Sequence, residues 1–219
     1  MESLLTLYNR PYEPTEPVVC FDERPCFLVG DTVVPLPMTG GNSKREHYEY
    51  EKFGSCVLMI AVDPNAGWRF ARVFRQRRKK EYAQFLKELM DHYWTHRPEV
   101  RRVHLVQDNL NTHHAGSFYE QFDAETAHAL QQFYRFHFTP KGASWLNMVE
   151  IELSVIIRQC LSRRIADQDT LEREVMALVR ERNEKQVPIR WQFSVDTARE
   201  KLNRHYRDAY PDNAMYQRT

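Results

Sequence analysis

Asp22 in the apolar run PVVCFDE, Asp108 at the end of VHLVQDN and Glu150 within SWLNMVEIELSVI are carboxylates among residues of the kind that bury. An unpaired charge is costly there. Carboxylate oxygens suit hard divalent cations such as Mg²⁺. Two cations about 3.5–4 Å apart activate a nucleophile on one side of a phosphodiester and stabilise the leaving oxygen on the other. Taken singly, each acid also has a plain structural role: Asp22 as a strand-end turn residue, Asp108 as a helix N-cap, Glu150 as a solvated helix position. Their settings favour the chemical role. Alternation along a strand puts Cys20 and Asp22 on one face and Phe21 and Glu23 on the other. Asp108 falls at the carboxyl edge of a sheet, where open α/β folds place their sites. Glu150 sits in a segment apolar nearly all round, including Leu146, Val149, Leu153 and Ile156. Glu152 points about 200° away on the same helix, so the two acids cannot serve one site.

Asn109, Asn111, His113 and His114 follow Asp108. Their amides and imidazoles could orient a phosphate, a water or the carboxylates, or His113 and Asn111 could simply brace the loop through backbone hydrogen bonds. Magnesium prefers oxygen ligands, which argues against His113 as a ligand. No G-x4-G-K motif is present, so a nucleotide cofactor is not expected. No serine elbow or local Cys–His arrangement supports covalent catalysis.

The elements needed to position the acids follow from periodicity. Residues 1–17 hold a helix-compatible stretch (MESLLTLY) and a proline-rich connector (NRPYEPTEP). Val18–Asp22 and Cys26–Gly30 read as two short strands around a tight Glu23-Arg24-Pro25 hairpin. Val33–Ser43 reads as a loop, and Ser55–Val62 and Trp68–Phe74 as a second strand pair joined by the turn Asp63–Gly67. Tyr82, Phe85, Leu86, Leu89, Met90 and Tyr93 form a helical core stripe. Val103–Val106 is a strand buried on both faces. Ser117–Phe122 and Ala124–Phe133 are helical, Phe136–Thr139 is a strand and Trp145–Leu161 a buried helix. Leu171–Lys185 and Thr197–Tyr206 follow as helices, the latter capped by Thr197 or Asp196. This is the RNase H-like order: an α/β fold with a mixed five-stranded sheet flanked by helices, plus a helical C-terminal extension.

With 219 residues, 42% hydrophobic and 12% aromatic, the chain is globular and of a size to bury one core. No run approaches a membrane span and no leader opens it, so it reads as soluble and cytoplasmic. Cys20, Cys26, Cys56 and Cys160 lack zinc-finger spacing and read as reduced, buried thiols. The formal net charge is only +1. Basic residues nevertheless cluster at positions 69–80, 158–164 and 199–207, either as solvated faces or as a nucleic-acid surface.

Longer motifs carry a resemblance. CFDE at 20–23, LVQDNLNTHH at 105–114 and FTPKGASWLNMVEIELSVIIRQCLSRRI at 138–165 resemble transposases of the IS630 group in the Tc1/mariner superfamily. HYEYEKFG at 47–54, RRKKEYAQFLKEL at 77–89 and RWQFSVDTAREKL at 190–202 extend the similarity over nearly the whole chain. The resemblance implies that Asp22, Asp108 and Glu150 are a DDE triad holding two Mg²⁺ ions (Mn²⁺ as substitute), with Asn109, Asn111 and His113 in support. It further implies cleavage of double-stranded DNA at transposon ends, joining of the freed 3′-hydroxyl to a TA target, and a homodimer on DNA in a prokaryotic cytoplasm. Lys44, Arg45, Arg77, Arg78 and Lys141 neighbour the motif loops and are the expected DNA contacts, while Trp145 could stack on a flipped base or, as the favoured reading, simply pack. Complete relatives carry an N-terminal helix-turn-helix region, so residues 1–17 are expected to be a linker from an absent region. Residues 18–165 would then be the catalytic domain and 166–219 a helical extension packed on it. An RNase H-like nuclease that does not join ends, or a silent DNA-binding or oligomerisation module, remains an alternative.

Overall fold

The computed structural model describes residues 1–41, 43 and 45–209. Its elements run α1 (Glu2–Tyr8), β1 (Val18–Asp31), β2 (Tyr50–Asp63), β3 (Trp68–Phe74), α2 (Lys79–His96), β4 (Val103–Gln107), α3 (Gly116–Gln121), α4 (Ala124–Phe133), β5 (Tyr134–Phe138), a 3₁₀ turn (Ser144–Leu146), α5 (Val149–Gln159), α6 (Gln168–Glu184), α7 (Val195–Lys201) and α8 (Asn203–Ala209). The sheet order is β3-β2-β1-β4-β5. The first three strands are antiparallel, while β4 and β5 run parallel to β1. All five residues of β4 are buried, as its apolar run predicts for a strand covered on both faces.

Alternation in β1 divides the core. Val19 and Phe21 join Met59, Phe70 and Leu105 under α2, α3 and α4. Cys20 joins Leu58, Ile60, Ala71 and Val106 under α1, α5, α6 and α7. The predicted α2 stripe is entirely buried. All four cysteines are buried and unpaired. No described helix is long and apolar enough to cross a membrane.

Several boundaries differ from expectation. Glu23-Arg24-Pro25 is not a hairpin: β1 continues through it, with these residues opposite Met59, Leu58 and Val57 of β2. A two-residue hairpin turn needs residues at positive φ, and none of the three adopts it. Pro25 also lies beyond Cys20, the last β1 residue paired with β4. The strand serves a single ladder there, a position where proline is tolerated. The helix expected over Trp145–Leu161 begins only at Val149, because Asn147 leaves the helical region at φ −86°, ψ 110°. Its apolar surround is also incomplete, since Ile151 is 45% exposed. The segment expected as one helix over Thr197–Tyr206 is two, and Ser194 caps the first by accepting from the Thr197 N–H.

The described segments before and after the sheet are built into the core. Leu4, Leu5 and Leu7 of α1 are buried among the α5 and α6 side chains, and the Tyr8 hydroxyl donates to the Leu146 carbonyl at 2.8 Å. Only residues 9–17 run as an irregular connector. At the other end, Asn183 of α6 exchanges two 2.8 Å hydrogen bonds with the Arg69 backbone of β3. The β2–β3 turn closes on Gly67 at φ +65°, where a Cβ would come within 2.5 Å of the Gln186 backbone. Glycine is therefore required there both for its φ and for the close approach of the segment after α6.

Candidate active site

The carboxyl end of β4 lies beside the first half of β1 because these strands pair in parallel, with Cys20 opposite Val106 as the last pair. Asp22 lies two residues past that last pair, and Asp108 directly follows β4. Glu150 enters in the first turn of α5. The helix is anchored to the strand by Asn147, whose Nδ2 donates to the Phe21 carbonyl at 2.8 Å. Burial pushes the Asp22 carboxyl up to about 7, its own neighbour's Glu23 N–H opposing this at 2.7 Å while the charges of Glu150, Asp108 and Glu23 add to the rise. Asp22 therefore feels the charges of both other predicted acids.

The other candidate on α5 is committed elsewhere. Glu152 is fully buried and ion-paired to Arg69 at 3.0 Å and to Arg182 at 2.5 Å. Arg69 further donates to the carbonyls of Gly67 and Val187. This cluster locks α5 to β3 and α6 and leaves Glu152 no part in the acid edge.

Below Asp108 lies a second layer. His113 is fully buried, with Nδ1 2.6 Å from the Asp108 carboxylate and Nε2 3.7 Å from Glu23. Its ring stacks on Tyr82 at 4.7 Å and meets the Phe21 edge at 5.4 Å. Burial alone would lower the imidazole, but the Asp108 and Glu23 carboxylates reverse this and hold it at about 9. Glu23 is itself buried and meets Arg77 at 3.3 Å. Gln107 completes the loop anchor: its Nε2 donates to the His113 carbonyl at 3.1 Å, and its Oε1 accepts from the Tyr82 hydroxyl at 2.8 Å. Asn109 and Asn111 are exposed beside this anchored loop.

Glu23, Gln107 and Asn147 were not singled out by sequence reasoning. Glu23 and Gln107 carried a usable signal, since each is polar on a strand face whose other members are core residues. Asn147 carried none, because an asparagine ahead of a helix is ordinary.

Among the expected DNA contacts, Arg45 and Lys141 are exposed. Arg77 is half-exposed but shared with Glu23. Arg78 caps α2 through Glu81. Trp145 is 46% exposed and packs edge-on against Phe193 at 5.4 Å. Lys44 lies outside the described residues.

The donor set fits a hard cation by type: three carboxylates at one edge of the sheet, with the buried Oδ1 atoms of Asp108 and Asn147 making no hydrogen bond. Among the described residues no three His, Cys, Asp or Glu side chains stand as a closed ligand cluster. The acids share an edge without yet converging on a point.

Comparison with known proteins agrees with this arrangement. A family model described as DDE superfamily endonuclease matches residues 17–172, a span that includes all three acids. No curated protein matches. Among solved structures, the Mos1 transposase catalytic domain with raltegravir and Mn is 18% identical at a TM-score of 0.50, covering 85% of this chain and 88% of that one. A pre-cleavage Mos1 transpososome is similar at 19% identity and a TM-score of 0.52. The match covers 85% of this chain and 59% of the transposase chain in that assembly. At these identities the likeness shows the fold, and it bears out the RNase H-like expectation.

Proposed function

The chain belongs to the DDE superfamily endonucleases, and from that premise we propose that it is the catalytic domain of an IS630-group, Tc1/mariner-type transposase that cuts DNA at transposon ends and joins the 3′-hydroxyl to a TA target. The observation that carries the proposal is Asp22, half-buried on β1 where partial burial and the charges of Glu150 and Asp108 together raise its proton affinity. A carboxylate held at that cost is what a cation site needs before its cation arrives. Asp22, Asp108 and Glu150 would hold two Mg²⁺ ions, with Mn²⁺ as substitute. When bound, these supply activation of the attacking oxygen and stabilisation of the leaving one.

The chain's own part is placement. β1 and β4 fix two acids on rigid strands, Asn147 sets the entry of the third, and the anchored loop after Asp108 presents Asn109 and Asn111 to a phosphate. Arg45, Arg77, Arg78, Lys44, Lys141 and Trp145 would line the DNA path, and a homodimer would pair two ends. The site of action would be the cytoplasm, on DNA.

The first test is Mn²⁺-dependent nicking of supercoiled plasmid by the wild type and by Asp108→Asn. The variant is expected to fold with an unchanged melting temperature and to lose nicking entirely. Undiminished nicking by the folded variant would sink the assignment. Pre-cut ends carrying a free 3′-hydroxyl then separate a transposase, which joins them to target DNA, from a nuclease, which does not.

A further inference from the structure

Glu23 has no place in a three-acid site, yet it is among the most deeply buried charges in the molecule, its side chain only 1% exposed. It lies next to Asp22 in sequence but points through the sheet to the α2 side, where Phe21, Tyr82 and Phe85 form the core. A carboxylate in such surroundings destabilises the fold unless something charged meets it. Two groups do: His113 from the loop after β4, and Arg77 from the β3–α2 connection.

We propose that Glu23 and His113 are positioning residues, a buried carboxylate–imidazole pair that aims and tunes Asp108 from beneath. The ring stands between the two carboxylates. One ring nitrogen of His113 contacts Asp108 at 2.6 Å and the other faces Glu23 at 3.7 Å. Tyr82 clamps the ring plane by stacking, Phe21 meets it edge-on, and Gln107 holds the backbone of the same residue. The ring therefore has one orientation available.

The pair acts through geometry: a ring fixed between Glu23 and Asp108 holds the Asp108 carboxylate in one direction. Partners behind a metal ligand raise the ligand's basicity and fix its orientation, and losing them costs about 10–100-fold in metal affinity or activity.

The inference rests on the proposed active site, and its test separates the two. Mn²⁺ affinity is measured by electron paramagnetic resonance on the wild type, Asp108→Asn and Glu23→Gln, alongside metal-free melting temperature. Half-saturating Mn²⁺ and KM for plasmid nicking complete the set. Glu23→Gln is expected to melt no lower than the wild type, to bind Mn²⁺ about 10–100-fold more weakly, and to nick with an unchanged KM for DNA at saturating Mn²⁺. A merely structural role would lower the melting temperature and leave the Mn²⁺ affinity of the folded protein alone, and that result overturns the inference. Wild-type Mn²⁺ affinity in Glu23→Gln with reduced affinity in Asp108→Asn overturns it too, while the active site stands. Wild-type affinity in both variants sinks the active site itself, and the inference with it. If Glu23→Gln does not fold, Glu23→Gln/His113→Phe, which removes both buried partners and the nitrogen facing Asp108 while keeping an aromatic ring against Tyr82, carries the same expectations.

Discussion

Glu152 is a buried acid and Asp22 a half-buried one, both near the junction of α5 with the sheet, and their surroundings assign them opposite work. Glu152 is matched by two guanidinium groups, so its burial is compensated. Asp22 has a single backbone N–H and like charges nearby, so its burial is not. Compensation marks a structural carboxylate, and its absence marks one kept for something else. Glu152→Ala would strand the fully buried Arg69 with carbonyl partners only. Removing one partner of such a pair costs about 3–5 kcal/mol, to be read as a lower urea midpoint. Unchanged stability would mean that the carbonyls of Gly67 and Val187 satisfy Arg69 without it. The three acids were legible as residues because each interrupts an apolar run. Glu23 stood out only as a polar residue on a core strand face; its partner was hidden because His113 is far along the chain, and only the fold puts His113 beneath it.

At the scale of elements, the short helix α1 shows how packing overrides a weak local signal. So short a segment does not form a stable helix in water. Leu4, Leu5 and Leu7 nevertheless settle it against α5 and α6, and Glu2 meets Arg199 of α7 at 2.7 Å. Helix α1 thus helps hold the element that carries Glu150. Leu5, with no exposed surface, makes this testable. Leu5→Ala is expected to cost about 2–5 kcal/mol in chemical denaturation, whereas a helix belonging only to a linker would show no change. The continuous β1 carries the same lesson: Glu23-Arg24-Pro25 looks like a turn locally, but pairing along the length of β2 keeps it extended.

At the scale of the molecule, a net charge of +1 conceals an uneven commitment of cations. Arg69, Arg72, Arg97, Arg164 and Arg182 are tied into ion pairs within the fold. Arg45 and Lys141 stand exposed and are the cleaner reporters of a DNA path. Reversing both to glutamate is expected to weaken duplex binding at low salt. It should also flatten the dependence of log K on log salt by about one unit for each phosphate no longer neutralised. Unchanged affinity and slope would move the DNA path to another face.

The sequence by itself determined the class of fold and singled out three acids as candidates, because alternation, helical periodicity and an isolated charge in an apolar run are local properties. Element boundaries were less legible wherever a partner strand or a tertiary hydrogen bond outweighed local preference, as at Pro25 and Asn147. The tertiary structure alone decided which acids feel one another's charge, which arginines are spent on the fold, and what stands behind Asp108. Those facts depend on parallel pairing of β1 with β4 and on docking of α5 and α6, which join residues far apart in the chain. Burial and charge act through space, so no single stretch of sequence contains them.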